Sequence, residues 1–357
     1  MRMKERKSIV FDAERLKYPY TGLYTFCLSL GKALTELQTY HQIDPLFYVP
    51  STANGLFGST ADYLIQKNTH KIFLPKPQNI ALWHATHQQT DYFPFKTNIP
   101  VLLTVHDLNF LYDQTKNEKK KQKYLHDLQQ KIKRATAIVT VSAFTADELA
   151  KNIDLGTKKP TIIYNGIDTQ MTDENHAPTY IPTKPFIFSI GTIVPKKNFH
   201  VLPQLLKNNN YELIIAGIVN DVEYKKQIIA EAQQLGVANR LQFTGTITDA
   251  DKIWYYKHAL CLALPSLAEG FGLPVVEAMH WGTPLLLSQM GSIPEIAGDA
   301  GVYITHFEAD HMQAQLAYLL QKASEPDYKD DLKNRAEKYT WQAAATKYME
   351  LYEELIS

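Results

Sequence analysis

Two glutamates flank a glycine-rich turn in the sequence, with a spacing that suits ligand binding. Glu269 precedes the triplet Gly270-Phe271-Gly272, and Glu277 lies about one turn into a helix that the pattern predicts from Leu273. Glycine lets the backbone approach a ligand closely, and the N–H groups of a helix start favour an anion such as a diphosphate. For two such carboxylates in isolation, the alternatives are that Glu269 is a solvated loop residue and that Glu277 interacts with the helix dipole. With its neighbours, the pair predicts a site for a ligand that carries phosphates and hydroxyls.

Basic residues and a histidine follow two predicted strands. Lys196 and Lys197 come after the strand Phe186–Ile190, and a lysine there can serve as a point-charge partner of a diphosphate. His106 follows the strand Val101–Val105, and ligands gather at the carboxyl ends of parallel strands. An exposed surface position is the alternative for the lysines, and a structural hydrogen-bond donor is the alternative for His106.

Two other patterns are similar to metal sites. His84 and His87 lie three residues apart, but no third ligand is visible, so a structural role is favoured over lining of an acceptor site. Asp249 and Asp251 form a D-x-D pattern directly after Thr248, where threonine and aspartate cap a helix. The sequence therefore predicts no metal site.

Short apolar runs alternate with amphipathic stretches along the chain, which predicts parallel, doubly wound α/β sheets. The predicted strands are Ser8–Phe11, Pro45–Val49, Ile72–Leu74, Ile80–His84, Val101–Val105, Ile138–Val141, Thr161–Tyr164, Phe186–Ile190, Leu213–Ala216, Leu241–Phe243, Leu260–Leu264, Leu285–Leu287 and Val302–Ile304. The main predicted helices are Gly22–Leu37, Glu118–Ala135, Thr145–Lys151, Phe199–Lys207, Val222–Leu235 and Leu273–Trp281.

A polar, proline-containing stretch separates the two series of strands. Thr169–Pro185 lacks hydrophobic periodicity and has the composition of a linker. We therefore expect two domains, residues 1–180 and residues 181–338, and a separate C-terminal helical segment, residues 339–357.

The composition of the 357 residues narrows the class of protein. Lys plus Arg and Asp plus Glu are both 37, so no global positive charge would attract nucleic acid. The two cysteines lie in apolar stretches and are predicted to be buried thiols in a reducing compartment. No segment approaches the ~18 apolar residues of a membrane-spanning helix, so we expect a cytoplasmic protein, with peripheral membrane contact left open. The lysine-rich helix near residues 117–135 is predicted to expose its basic face to solvent over a packed apolar stripe.

The motifs together resemble family 4 of the retaining glycosyltransferases, which have the GT-B fold. The similarity covers most of the chain from Val101 onward and is weaker before it. The segments that carry it are Glu269–Met279 (EGFGLPVVEAM), Gly191–Asn198 (GTIVPKKN), Thr104–Leu108 (TVHDL), Val141-Ser142, Ile163–Asp168 (IYNGID) and Ile293–Asp299 (IPEIAGD).

This resemblance implies two Rossmann-like domains that face each other across a cleft, with the segment 339–357 crossing back to the first domain. It assigns catalytic roles to His106, beside the transferred sugar, and to Glu269 and Lys197. The donor-binding residues that it implies are Gly22, Gly191, Thr192, Lys196, Lys197, Ile247, Gly270, Phe271, Gly272, Leu273 and Glu277. Thr192 stands where many relatives place arginine, and Gly22 is a single glycine where many relatives have a glycine-rich loop.

The implied reaction moves a hexose from a GDP- or UDP-linked donor to a glycan or lipid-linked acceptor, with retention of configuration and without a metal or other cofactor. The motif wording is most similar to that of bacterial mannosyltransferases that use GDP-mannose in surface-polysaccharide assembly. A non-catalytic nucleotide-sugar-binding subunit and an epimerase-like enzyme on the same fold are the alternatives. A dehydrogenase is disfavoured because Gly270-Phe271-Gly272 lacks the third glycine of a dinucleotide-binding loop.

Overall fold

The computed structural model describes residues 6–38, 41, 43–75, 77, 79–113, 115–168 and 176–357. The chain forms two compact units. Unit 1 contains Met1–Asp168 and Tyr339–Ser357, and unit 2 contains Thr169–Lys338. The first boundary thus falls earlier than the expected division between residues 180 and 181.

Unit 1 is built on a seven-stranded parallel sheet with the order β3-β2-β1-β4-β5-β6-β7. Its strands are β1 (Lys7–Asp12), β2 (Ile43–Val49), β3 (Asp62–Ile65), β4 (Ile80–Ala85), β5 (Val101–Val105), β6 (Ala137–Thr140) and β7 (Thr161–Ile162). The central strands β4 and β5 are largely buried, as expected for a parallel sheet that is covered on both faces.

Unit 2 is built on a six-stranded parallel sheet with the order β10-β9-β8-β11-β12-β13. Its strands are β8 (Phe186–Ile190), β9 (Glu212–Ala216), β10 (Leu241–Gly245), β11 (Cys261–Leu264), β12 (Leu285–Ser288) and β13 (Val302–Ile304). Both units are therefore Rossmann-like, and the predicted α/β fold class is confirmed.

Several of the helices begin where the sequence supplies a capping side chain. They are α1 (Gly22–Leu37), α2 (Glu118–Arg134), α3 (Ala143–Asn152), α4 (Val222–Gln234), α5 (Asp249–His258), α6 (Leu273–His280), α7 (Ile293–Ala297), α8 (Ala309–Lys322), α9 (Tyr328–Ala336) and α10 (Trp341–Ile356). The side chains of Thr21, Asn117, Thr248 and Thr340 each accept a backbone N–H of the first turn that follows. In the part of the chain that the structure describes, no helix is long and apolar enough to cross a membrane.

Two predicted elements are wrong. Ile72–Leu74 is not a strand: Ile72 and Phe73 are 74% and 79% exposed. The strand that pairs with β2 is β3, which is only four residues long. The segment Phe199–Leu206 is a 3₁₀ helix and not an α-helix. It starts after Asn198 in the left-handed conformation, and Pro203 removes an N–H that an α-helix would use.

The predicted linker Thr169–Pro185 is tied to unit 2 over the part that the structure describes. Residues 169–175 lie outside the described residues, but the stretch from residue 176 to residue 185 is anchored to unit 2. Glu212 of β9 accepts hydrogen bonds from the Tyr180 hydroxyl (2.6 Å) and from the backbone N–H groups of Thr183 and Lys184 (3.0 and 3.1 Å). Composition alone could not show this, because the contacts depend on a carboxylate some thirty positions further along the chain.

The basic face of α2 is not entirely solvated, which corrects part of the sequence interpretation. Lys131 is buried, and its Nζ donates to the carbonyl oxygens of Gln88 (2.9 Å) and Thr90 (2.8 Å). Burial lowers the pKa of Lys131 to about 8. The apolar stripe is as predicted, since Leu128 and Ile132 lie in the core of unit 1.

The C-terminal helix α10 packs on α1 and β4 of unit 1. A buried polar network fixes it there: His84 Nδ1 lies 2.7 Å from the Tyr352 hydroxyl, and His84 Nε2 lies 2.8 Å from Thr104 Oγ1, which in turn contacts the Tyr348 hydroxyl at 3.1 Å. Burial lowers the pKa of His84 to about 3, so its ring is neutral. Both ring nitrogens are occupied, and His84 is therefore structural.

We expect Tyr352→Phe to destabilise unit 1, because it leaves a buried imidazole nitrogen without its hydroxyl partner. The expected loss is about 1–3 kcal/mol in the free energy of unfolding, measured by urea denaturation. Tyr318→Phe is the control, because Tyr318 is 56% exposed, and it should leave the unfolding curve unchanged. Equal curves for wild type and Tyr352→Phe would show that the network does not hold the helix.

Candidate active site

The predicted donor-binding residues of unit 2 lie in the loops that follow the parallel strands. The segment from Gly191 to Lys197 follows β8, Ile247 follows β10, and the segment from Glu269 to Leu273 follows β11. In parallel sheets these loops meet at one edge, which is where ligands bind. The fold of unit 2 therefore places the residues that the motifs singled out at a common edge.

Lys197 and Glu269 form an ion pair, with Nζ 2.5 Å from Oε1. Both side chains are largely buried, at 12% and 11% exposed. Burial alone would raise the pKa of Glu269, but the charges of Lys197 and Lys196 outweigh it, so the pKa lies below the ordinary value of 4.5. Glu269 is therefore ionised at neutral pH and stands next to a cation.

Two glycines make room for this lysine. Gly191 has φ +152°, and a Cβ atom there would lie 3.2 Å from the Lys197 Cε. Gly217, which follows β9, has φ +139°, and a Cβ there would lie 2.0 Å from the Gly191 carbonyl oxygen. Sequence reasoning missed Gly217, although a lone glycine directly after a buried strand is a sign of close backbone approach.

Glu269 is held from the other side by the turn after β12. A Cβ on Gly291 would lie 2.7 Å from the Glu269 carbonyl oxygen, and that oxygen accepts hydrogen bonds from Ser292 N and Ser292 Oγ, both at 3.1 Å. The loop is also tied to the lysine segment, because Leu267 N donates to the Lys196 carbonyl at 2.8 Å. The backbone positions of Glu269 and Lys197 are thus mutually determined.

Helix α6 begins directly after this loop. Its N-cap is Gly272 in the left-handed conformation (φ +93°), and Pro274 lies in the first turn, where the missing N–H of proline costs nothing. Glu277 accepts hydrogen bonds from Lys252 Nζ and from the Tyr256 hydroxyl, both at 2.9 Å. A carboxylate has about four lone-pair sites, so Glu277 keeps capacity for further donors.

The D-x-D pattern is a helix start, as the sequence predicted. Asp251 N donates to Thr248 Oγ1 at 3.1 Å, and Thr248 N donates to Asp251 Oδ2 at 3.2 Å, which is a capping box. Asp251 also lies 2.7 Å from His176 Nε2. Asp249 pairs with Lys252 on the surface. Asp251 thus has a structural role within unit 2.

His106 and Gly22 belong to unit 1. His106 is buried, its Nε2 lies 2.8 Å from the Thr86 carbonyl oxygen, and the ring packs edge-on against Phe26 at 4.5 Å between centroids. Burial lowers the pKa of His106 to about 4, so the ring is neutral at pH 7. Because a carbonyl only accepts, Nε2 carries the proton and Nδ1 has a lone pair that can accept from a hydroxyl. Gly22 is the exposed first residue of α1.

The chain matches the model of glycosyltransferase family 4 over residues 30–171 and that of glycosyl transferases group 1 over residues 171–339. It belongs to the glycosyltransferases with these two domains. The enzyme is 24% identical to O-antigen chain mannosyltransferase B of Escherichia coli over 394 residues, which span 96% of this chain and 99% of that protein.

Solved structures show the same fold. Sucrose-phosphate synthase from Thermosynechococcus elongatus is similar with a TM-score of 0.78 and 17% identity, over 98% of this chain and 99% of that one. The Anabaena protein HepE, in complex with UDP and glucose, is similar with a TM-score of 0.72 and 14% identity, over 98% and 100%. The glycosyltransferase therefore has the GT-B fold.

We expect Gly217→Ala to impair glycosyl transfer, because the added methyl group must push the Gly191 carbonyl and the lysine loop away. A misplacement of about 1 Å in such a loop can lower kcat/KM about 100-fold. The measurement is nucleotide release from the sugar donor at fixed protein concentration.

Gly236→Ala is the matched control for backbone strain. Gly236 also has positive φ (+68°), but a Cβ there meets nothing within 4 Å. Both variants place an alanine at positive φ, but only Gly217→Ala adds a contact with the Gly191 carbonyl. Equal activities of the two variants would contradict the role of Gly217.

Proposed function

We propose that the enzyme transfers a hexose, with retention of configuration and without a metal ion, from a nucleotide-diphosphate donor to a glycan or lipid-linked acceptor. The observation that carries the proposal is the buried Lys197–Glu269 pair at the carboxyl edge of the second sheet, next to the start of α6. The pair combines a cation for phosphate with a carboxylate for hydroxyls.

In this reaction the leaving group is a nucleoside diphosphate, and negative charge grows on it as the glycosidic bond breaks. Lys197, with Lys196 beside it, supplies positive charge that the fold has already positioned. The N–H groups in the first turn of α6 add the positive end of the helix dipole. Stabilisation of developing charge by groups that need no rearrangement is usually the largest catalytic contribution of such a site.

The glutamates have a different role. Glu269 is ionised and accepts hydrogen bonds from hydroxyls of the transferred sugar, which orients the ring relative to the diphosphate. Glu277, already held by Lys252 and Tyr256, accepts from the ribose of the donor. The neutral ring of His106 in unit 1 can accept a hydrogen bond from a sugar hydroxyl at Nδ1. No residue is assigned as a nucleophile, because leaving-group stabilisation with a front-face attack requires none.

The proposed donor is GDP-mannose. The similarity to an O-antigen mannosyltransferase over nearly the whole length of both chains supports a mannosyl donor and an acceptor in surface-polysaccharide assembly. The fold is also that of HepE, which was solved with UDP, so UDP-sugars are the donors to compare.

Independence from metal is proposed from the charges that the site contains. Two lysines and a helix start already provide the positive charge that a divalent cation would supply to a diphosphate. Asp251, the carboxylate that a D-x-D motif would offer to a cation, is engaged in the capping box of α5 and with His176.

We expect the purified enzyme to release GDP from GDP-mannose faster than UDP from UDP-glucose or UDP-galactose, and the anomeric proton of the product to show the donor's configuration by NMR. Lys197→Ala and Glu269→Gln should each lower turnover about 100- to 1,000-fold, since each removes a positioned charge.

The matched control is the surface pair Lys226–Glu223, whose side chains are 67% and 81% exposed. Lys226→Ala and Glu223→Gln should retain wild-type turnover. Wild-type rates in Lys197→Ala would contradict the assignment of Lys197 to the donor diphosphate. A product of inverted configuration would contradict retention.

Chelation tests the metal proposal. We expect turnover to persist in excess EDTA, because lysines and not a cation stabilise the diphosphate. Asp251→Ala should lose about 0.5–2 kcal/mol of stability through its cap, with little change in turnover at a temperature where it is folded. Loss of activity on chelation, with recovery on addition of magnesium or manganese, would contradict the proposal.

A further inference from the structure

The loop that follows β4 holds the histidine of unit 1 at two points. The Thr86 carbonyl oxygen lies 2.8 Å from His106 Nε2, and the Gln88 side chain accepts the His106 N–H at Oε1 (3.1 Å). Gln88 Nε2 also donates to the Asp107 carbonyl at 2.7 Å. One loop therefore contacts both the ring and the backbone of the histidine that the proposed reaction uses.

Glutamine has the chemistry that this place in the sheet requires. The pairing of β5 ends at Leu103 with β4 and at Val105 with β6. The His106 N–H, one residue further on, has a side-chain acceptor instead of a neighbouring strand. A primary amide accepts at its oxygen and donates at its nitrogen, so Gln88 binds an N–H and a carbonyl with one side chain. Because its two partners are of opposite type, they allow only one orientation of the amide.

A second side chain binds the peptide group between these two. Thr145, in the first turn of α3, donates from Oγ1 to the His106 carbonyl at 3.3 Å. Three consecutive peptide groups, from the His106 N–H to the Asp107 carbonyl, thus have hydrogen bonds to side chains of neighbouring elements. Two of these three hydrogen bonds come from Gln88, so this residue contributes most to the support of the histidine backbone.

Gln88 is itself held by buried groups. It is only 4% exposed, and its carbonyl accepts from Lys131 Nζ of α2 at 2.9 Å. The same Nζ donates to the Thr90 carbonyl at 2.8 Å, and Thr90 Oγ1 donates to Asp12 Oδ2 at 2.6 Å. The loop is therefore tied both to α2 and to the end of β1, and the Gln88 side chain extends from a fixed backbone.

We propose that Gln88 is a positioning residue for glycosyl transfer, which fixes His106 through the two hydrogen bonds of its side-chain amide. Because Nε2 of His106 is bound to the Thr86 carbonyl, the position of Nδ1 follows from the backbone that Gln88 holds. Gln88 acts through the histidine and is assigned no contact with either substrate. The inference rests on the proposed function, because it takes His106 as the group that accepts from a sugar hydroxyl.

Gln88→Met tests the inference, because methionine is of similar length but lacks the amide donor and acceptor. We expect kcat for nucleotide release to fall about 10- to 100-fold, since a displacement of about 1 Å near the reacting atoms has an effect of that order. The KM for the donor should stay within about twofold of the wild-type value, because Lys197, proposed to bind the diphosphate, belongs to unit 2.

Gln129→Met is the matched control. Gln129 Nε2 donates to the Asp154 carbonyl at 2.8 Å, and Gln129 Oε1 accepts the Asp154 N–H at 2.9 Å, on the exposed surface of unit 1. The control therefore removes the same two types of hydrogen bond, but from Asp154 instead of the histidine segment. Its kcat should equal that of the wild type. Equal kcat values for Gln88→Met and Gln129→Met would overturn the inference.

A double-mutant cycle shows whether Gln88 acts through the histidine. In the His106→Ala background, Gln88→Met should lower kcat by less than about twofold, because the ring that it positions is already absent. An equal loss of kcat in both backgrounds would overturn the inference. Wild-type kcat in His106→Ala would also overturn it.

Gln88→Glu is the second variant, and it serves also if Gln88→Met does not fold. A protonated carboxyl group donates and accepts as the amide does, whereas an ionised one only accepts. The kcat of Gln88→Glu relative to the wild type should therefore rise as the pH falls from about 8 to about 5, towards the pKa range of glutamate. The same ratio for Gln88→Met should not change with pH. A ratio for Gln88→Glu that stays low throughout would contradict the inference.

Hydrogen exchange of the His106 amide in the full-length enzyme gives a measurement that needs no turnover. We expect exchange at least about 10-fold faster in Gln88→Met than in the wild type and in Gln129→Met, because the amide loses its acceptor. Equal exchange rates would overturn the inference. Nucleotide release that Gln88→Met does not slow contradicts only the inference, whereas faster exchange without release from any donor contradicts only the proposed function.

Discussion

Backbone-to-backbone packing of neighbouring loops determines the candidate site of unit 2. Gly217 lies against the Gly191 carbonyl, and Gly291 lies against the backbone of Glu269, at distances that leave no room for a side chain. The loops after β8 and β9 are thus fixed to each other by main-chain atoms, as are those after β11 and β12. The hydrogen bond from Leu267 N to the Lys196 carbonyl joins the two pairs. The backbone of Lys197 and Glu269 is therefore held in place, which limits the positions of their side chains. A site that must hold reacting groups in a fixed geometry needs such backbone support.

The ion pair that this packing brings together is better explained by ligand binding than by stability. Removing two charges from water is costly, and a buried pair contributes little net stability compared with apolar residues of similar size. The net lowering of the pKa of Glu269 shows that the lysines outweigh the effect of burial on the carboxylate. Lys197 and Lys196 thus keep Glu269 ionised, as the proposed binding of sugar hydroxyls requires.

Sequence reasoning succeeded where the signal is local and failed where it is tertiary. The bounds of α1 and the capping box at Asp251 follow from side chains within a few residues, and both were predicted. Lys131 gives no local signal, because the carbonyls that it binds lie far away in the chain. The lone Gly217 after a strand indicates a close backbone approach but does not show that the Gly191 carbonyl is the group it meets. The prediction of a strand at Ile72–Leu74 was wrong for the opposite reason: the run is apolar but does not belong to the sheet.

The buried carboxylate of Asp12 at the end of β1 shows that unit 1 also keeps an unfavourable arrangement. Asp12 is buried, hydrogen-bonded to Thr90, and its pKa is raised to about 7 by burial and by the charge of Glu14. The folded state then binds this proton more tightly than the unfolded chain, so the free energy of unfolding falls as pH rises from 3.8 toward about 7. An apolar core would avoid that loss. Ionisable groups with perturbed pKa values cluster at functional sites, and Asp12 lies at the carboxyl end of β1 in the sheet of unit 1. Asp12 accepts hydrogen bonds from the Glu14 N–H and the Thr90 hydroxyl, and it therefore ties the segments that follow β1 and β4 to each other.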